Sequence, residues 1–70
     1  MQIPKYEVDI FWSDKDGAYV AIVPDLPQLS AHGLSYGEAL EEIQVAMRFH
    51  LEILEKHGAP IPKPRARSAV

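Results

Sequence analysis

One segment constrains this chain more than any other: a helix signal with a marked start and a marked stop. Ser35-Tyr36-Gly37-Glu38 fits a capping box, with the Ser35 hydroxyl on an N3 amide and Glu38 reaching back. Good helix formers follow as far as His57. Gly58 supplies a left-handed stop, Pro60 cannot continue a helix, and Lys56 and His57 stand where the dipole favours cations. The spacing therefore predicts a helix of about 22 residues, near 33 Å long at 1.5 Å per residue.

At 100° per residue, Tyr36, Leu40, Ile43, Met47, Leu51 and Leu54 fall within a stripe about 80° wide, the expected core face. Ala39, Ala46 and His50 flank it. A second apolar row, Val45, Phe49 and Ile53, runs at i, i+4, i+8 almost opposite the first. Glu38, Glu41, Glu42, Arg48, Glu52 and Glu55 surround that row without breaking it. A helix lying on one sheet carries charge there. Leaving three large side chains wet forgoes about 1.5–3 kcal/mol for each that would be buried, so the row is expected to be an interface with a partner or a second copy.

The residues before the helix read as strands. Tyr6, Val8, Ile10 and Trp12 alternate with Glu7, Asp9 and Phe11, and Pro4 suits a strand start. Ser13-Asp14-Lys15-Asp16-Gly17 is a turn, and Ala18–Val23 a second strand, giving a β-hairpin. Pro24-Asp25-Leu26-Pro27 stops that strand, and Gln28–His32, ended by Gly33, is a short third one. One helix covers one face of such a sheet. Phe11 points away from the other apolar residues of the first strand, and the second strand is apolar on both faces, Tyr19, Ala21 and Val23 against Val20 and Ile22, so the uncovered face must meet solvent, a copy or a partner. After the helix, prolines extend the segment Ala59 to Pro64, where Ile61 is expected to pack back as a short strand or hook. The expected architecture is α+β: a three-stranded antiparallel sheet, β-β-β-α with room for a short fourth strand, packed on one long helix. The domain runs over residues 1–64, and 65–70 read as a frayed tail.

Size and composition narrow what such a domain does. Seventy residues give one marginal core, which natural proteins of this length reinforce with disulfides, a metal or oligomerisation. Cysteine is absent, and His32, His50 and His57 have no ligand-like spacing, so oligomerisation remains. The net charge of −3 is uneven: residues 1–58 hold ten acids against four Lys/Arg, while residues 59–70 hold Lys63, Arg65 and Arg67 and no acid. An acidic body repels phosphates and suits a basic protein partner. Trp12 and Tyr19 read as packing residues rather than base-stacking ones. No run approaches a membrane span and the N-terminus has no signal-peptide pattern, so a cytoplasmic protein without direct nucleic-acid or membrane contacts is expected.

The residues offer little for catalysis. The hydroxyl nucleophiles besides tyrosine are Ser13, Ser30, Ser35 and Ser68, none in a nucleophile elbow, and no phosphate-binding glycine loop occurs. Asp14 and Asp16 with Gly17 are faintly like a calcium loop, but the glutamate such a loop requires is missing. No catalytic residue, cofactor or metal is expected. The chain reads as a binding module.

The order of motifs resembles a known family. Tyr6–Trp12, Asp16-Gly17-Ala18-Tyr19-Val20-Ala21, Val23-Pro24-Asp25-Leu26-Pro27, Ser35-Tyr36-Gly37-Glu38-Ala39-Leu40 and Gly58-Ala59-Pro60-Ile61-Pro62 together look like the HicB-like antitoxin N-terminal domain (UPF0150-type), over roughly residues 5–64. The resemblance implies a partial ribonuclease H-like fold. It also implies a partner, HicA, a small basic toxin that cleaves mRNA and whose active surface the antitoxin masks. Two features depart from the pattern. Gln28 and Leu29 stand where the family usually has Gly and often Cys, and no DNA-binding segment follows, so autorepression is not carried over. Neither is a ribonuclease H carboxylate set. Three functions are in view: an antitoxin-type protein that occludes such a toxin, a stand-alone homo-oligomeric scaffold or regulator of the same fold, and a degenerate nuclease relying on Asp9 or Asp25. Val45, Phe49, Ile53 and Phe11 are the expected interface residues.

Overall fold

The computed structural model describes residues 6–63. Three strands and a helix follow one another: β1 (Asp9–Ser13), β2 (Ala18–Ile22), β3 (Ser30–Gly33) and α1 (Tyr36–Lys56). The sheet is antiparallel in the order β1-β2-β3. The expected β-β-β-α fold is the observed one. Pro4 and the expected frayed tail, with Arg65 and Arg67, lie outside the described residues.

The strand bounds shift. Tyr6 to Val8 were expected in β1 but precede it, and Ser13, expected in the turn, is its last residue. Ser13 has two roles: its carbonyl accepts from the Gly17 amide at 2.9 Å, and its hydroxyl donates to Asp16 Oδ2 at 2.8 Å. Gly17, at φ +61°, closes this turn in the left-handed region that glycine occupies without steric cost. The third strand starts two residues later than expected and includes Gly33.

The delay has a cause in the Pro24–Pro27 loop. The Leu26 amide donates to the Val23 carbonyl and the Leu29 amide to the Leu26 carbonyl, both at 2.9 Å. These two successive turns drive the Leu26 side chain into the core, where it is fully buried. Gln28, one of the two departures from the family pattern, places its Nε2 2.7 Å from His50 Nε2 and so ties the loop to the helix. Leu29, the other, packs against the core.

The helix begins and ends much as the sequence predicts. The Ser35 hydroxyl accepts from the Glu38 amide at 3.1 Å, while the Glu38 carboxylate reaches one residue further back than in a capping box, to the Leu34 amide at 3.2 Å. At the other end the Gly58 amide donates to the Glu55 carbonyl and the Ala59 amide to the Leu54 carbonyl, the paired bonds of a Schellman stop, with Gly58 at φ +65°. No strand forms over residues 59–63. A different clasp holds that segment: the Tyr6 hydroxyl donates to the Pro62 carbonyl. Burial, and then the nearby Asp25 carboxylate, push the Tyr6 hydroxyl above its ordinary pKa.

The expected core stripe is corrected. The buried helix residues are Ala39, Ile43, Met47 and Leu51, while Tyr36 and Leu40 are exposed and Leu54 is half-buried. A stripe of fixed direction presumes a helix lying straight along a flat surface. The observed set is a single i, i+4 row, which drifts about 40° per step around the helix, as a helix crossing a twisted sheet requires. The helix sits mainly over β3, less over β2 and least over β1. Its floor is made of small residues: Ala21, Ala31 and Gly33 lie beneath it, and the Gly33 backbone comes so close that an added Cβ would stand 2.4 Å from the Ala39 nitrogen. Tyr6, Val23 and Leu26 complete the core with Ile10 and Val8 packed at its margin.

Candidate functional site

Among the described residues, two apolar surfaces outside this core lie on opposite sides of the molecule. The first is the outer row of the helix. Val45 is 41% exposed, Phe49 63% and Ile53 54%. The row is itself an i, i+4 ridge, on the opposite side of the helix from the buried one and with the same drift around it. Glu38 and Glu42 stand before it and Lys56 after it, all exposed.

The second surface is the open face of the sheet. Register places Phe11 opposite Val20, and Val20 opposite His32, with Asp9, Ile22 and Ser30 forming the next rung. Phe11 is 46% exposed and Ile22 half-buried. Val20 is buried, yet it is not part of the core cluster: its cross-strand neighbours Phe11 and His32 shelter it. All four expected interface residues are thus exposed, but the structure does not bring them together. Val45, Phe49 and Ile53 share one ridge, and Phe11 stands on the far side of the sheet.

Sequence reasoning missed Leu34, at 78% the most exposed large apolar residue among the described ones. It lies in the link between β3 and the helix cap, where no periodicity marks a side chain as inward or outward. It also placed Trp12 among the inward residues of β1. Trp12 is half exposed because the helix barely reaches β1. Trp12 instead opens an aromatic run, packing edge-on against Tyr19 (centroids 5.2 Å apart, planes at 72°), which in turn packs on Tyr36 at 4.3 Å. The Trp12 indole N–H donates to Asp14 at 2.6 Å.

A Ser–Asp–His grouping does occur at the hairpin end of the open face. Ser13 Oγ donates to Asp16 Oδ2, and His32 Nε2 lies 3.9 Å from the same oxygen. The order is wrong for nucleophile activation, in which the histidine stands between hydroxyl and carboxylate. Here the carboxylate is in the middle, both charged groups are exposed, and the bonds serve the turn. Among the described residues no three His, Asp or Glu side chains gather as a metal-holding group. No helix among them is long and apolar enough to cross a membrane.

With these surfaces described, one comparison gives the family of the chain. A UPF0150 protein of Thermoplasma acidophilum is 44% identical over 62 residues, covering 89% of this chain and 88% of that one. The chain belongs to the UPF0150 family. No family model and no solved structure matches it. The UPF0150 match spans nearly the whole length of both proteins, so the hairpin, the Pro24–Pro27 loop and the capped helix all lie within what the two chains share in extent.

Proposed function

We propose that this UPF0150 protein is a binding protein of the HicB-like antitoxin type, which occludes a small basic mRNA-cleaving toxin of the HicA type. The observation that carries the reading is the open face of the sheet. Exposed Phe11 and half-buried Ile22 form an apolar patch there over the buried Val20, with the carboxylates of Asp9 on the strand and Asp16 on the adjoining turn beside it. An apolar centre with an acidic margin suits a basic protein, drawn in by charge and held by desolvation. The motif order that resembles the HicB-like domain supports the same partner. No catalytic step is assigned to this chain, and it acts by covering its partner's surface.

The test is co-expression with a small basic reading frame adjoining this protein's own. A co-purifying complex and rescue of growth are expected, with both lost in Phe11→Asp. No complex and no rescue would refute the reading. The alternative is a stand-alone homo-oligomeric scaffold or regulatory domain with no toxin partner, and the helix ridge favours it, being a second surface independent of the sheet.

A further inference from the structure

We infer that the strip of sheet beside the helix is a docking groove for this chain's own basic tail, with Arg67 laid on the indole of Trp12. The toxin reading uses the opposite face of the sheet, so the two stand or fall separately. The strip exists because the helix lies mainly over β3 and least over β1. Tyr6, Val8, Ile10 and Trp12 alternate along its floor, which passes from buried at Tyr6 to half exposed at Trp12. The helix forms its wall. Tyr19 packs between Trp12 and Tyr36, so the exposed Tyr36, with Leu40 one turn later, rises beside the indole.

Three observations select the occupant. The first is where the chain is held. The Tyr6 hydroxyl donates to the Pro62 carbonyl, so the segment after the helix returns to the foot of the strip, on the helix side of the sheet. The second is reach. Trp12 stands six positions beyond Tyr6, and Arg67 five beyond Pro62. A proline-rich segment at about 3.1 Å per residue carries Arg67 about 16 Å past the clasp, against about 20 Å of extended strand from Tyr6 to Trp12, and the long arginine side chain spans the difference. The third is charge. Residues 59–70 carry Lys63, Arg65 and Arg67 and no acid, whereas residues 1–58 hold ten acids against four Lys/Arg. At the far end of the strip the Trp12 indole N–H donates to Asp14 Oδ1 at 2.6 Å, which fixes the ring and sets a carboxylate at its edge. Lys15 follows, but it stands between Asp14 and Asp16, so the turn stays net negative. A guanidinium stacked on an indole with a carboxylate at its rim combines cation–π attraction with an ion pair.

Trp12 is the chain's one tryptophan, so its fluorescence reads the groove directly. In the full chain, Arg65→Glu with Arg67→Glu should move its emission to longer wavelength and raise its acrylamide quenching constant about twofold, as loss of a cation–π cover exposes the ring. Arg48→Glu, a charge reversal at an exposed helix position outside the groove, should leave both unchanged. The chain has no cysteine of its own, so a nitroxide on Ser68→Cys reports where the tail lies. It should broaden the Trp12 indole resonance when both are on the same isotope-labelled chain. It should not do so when an unlabelled, spin-carrying chain is mixed with a labelled chain that lacks the nitroxide. Broadening in the mixture would give the groove to the tail of a second copy, and no broadening at all would leave Trp12 uncovered. Either result, or emission and quenching unmoved by the double arginine exchange, would overturn the inference. Loss of toxin binding with these readouts intact would overturn only the antitoxin reading.

Discussion

Gly33→Ala perturbs a close approach of two backbones, that of β3 and the start of α1. Gly33 is not in the left-handed region, so alanine carries no backbone penalty there and any cost is steric. The added Cβ would stand 2.4 Å from the Ala39 nitrogen, 2.8 Å from the Glu38 carbonyl carbon and 2.9 Å from the Ala39 Cα. All three are backbone atoms, so no rotamer change relieves the clash. Restoring ordinary contact means moving the first turn of the helix about 1 Å away from β3. That retreat strips contacts from Ala39, and it loads the Ser35 cap and the Tyr19–Tyr36 packing. Overpacking of this kind costs about 1–3 kcal/mol, and the rigid neighbours place this case at the upper end, about 3 kcal/mol. For a domain of this size each kcal/mol corresponds to roughly 4–8 °C, so the melting temperature should fall by about 12–24 °C. Gly37→Ala is the internal control. Its Cβ would meet nothing nearer than Ser35 Oγ at 4.0 Å, and removing a helical glycine should stabilise by about 0.5–1 kcal/mol. Urea denaturation followed by far-ultraviolet circular dichroism measures both. A Gly33→Ala protein within about 0.5 kcal/mol of the parent, or the two alanines moving stability alike, would refute the close helix–strand packing described above.

Other outcomes follow from the same contacts. Leu26→Ala should cost about 2–5 kcal/mol by the same denaturation, because it empties a fully buried site that the two turns of the Pro24–Pro27 loop exist to fill. Ser35→Ala removes the acceptor for the Glu38 amide and should cost about 1 kcal/mol, with Ser35→Asp recovering most of it. Tyr6 makes stability fall in alkali. Its hydroxyl is held above the ordinary 10.0, so the unfolded chain loses that proton first, and folding stability, full below pH 10, declines as pH rises through the folded value. Tyr6→Phe should abolish this decline in pH-dependent melts, and it should cost about 0.5–1.5 kcal/mol at neutral pH through loss of the bond to Pro62.

Much of the fold is readable from local chemistry. The hairpin follows from alternating side chains closed by Gly17, and the helix ends follow from Ser35 and Gly58, because caps and turns are decided by residues within a few positions of one another. The candidate interface was legible in part. Val45, Phe49 and Ile53 stand out because they interrupt a charged face, and the structure leaves them exposed. The strand edges were less legible. Tyr6 alternates correctly but is held by the Pro62 carbonyl, 56 positions away, and not by a strand neighbour.

What the sequence by itself determined is therefore the list of elements, their order, and the presence of more apolar helix surface than one sheet covers. The tertiary structure decided which apolar residues count as core. Leu26 is buried though it lies in a turn that no periodicity marks as core, and Leu40 is exposed though its spacing puts it in the core stripe. The reason is geometric. Periodicity records a direction around the helix axis, whereas burial depends on where the helix lies over the sheet and at what angle. Gly33 and Ala39 set that position by letting two backbones nearly touch, and the twist of the sheet then selects the drifting row Ala39, Ile43, Met47 and Leu51. Tilted over β3, the helix leaves Trp12 half covered, Phe11 on the open face of the sheet and Phe49 on its own outer ridge.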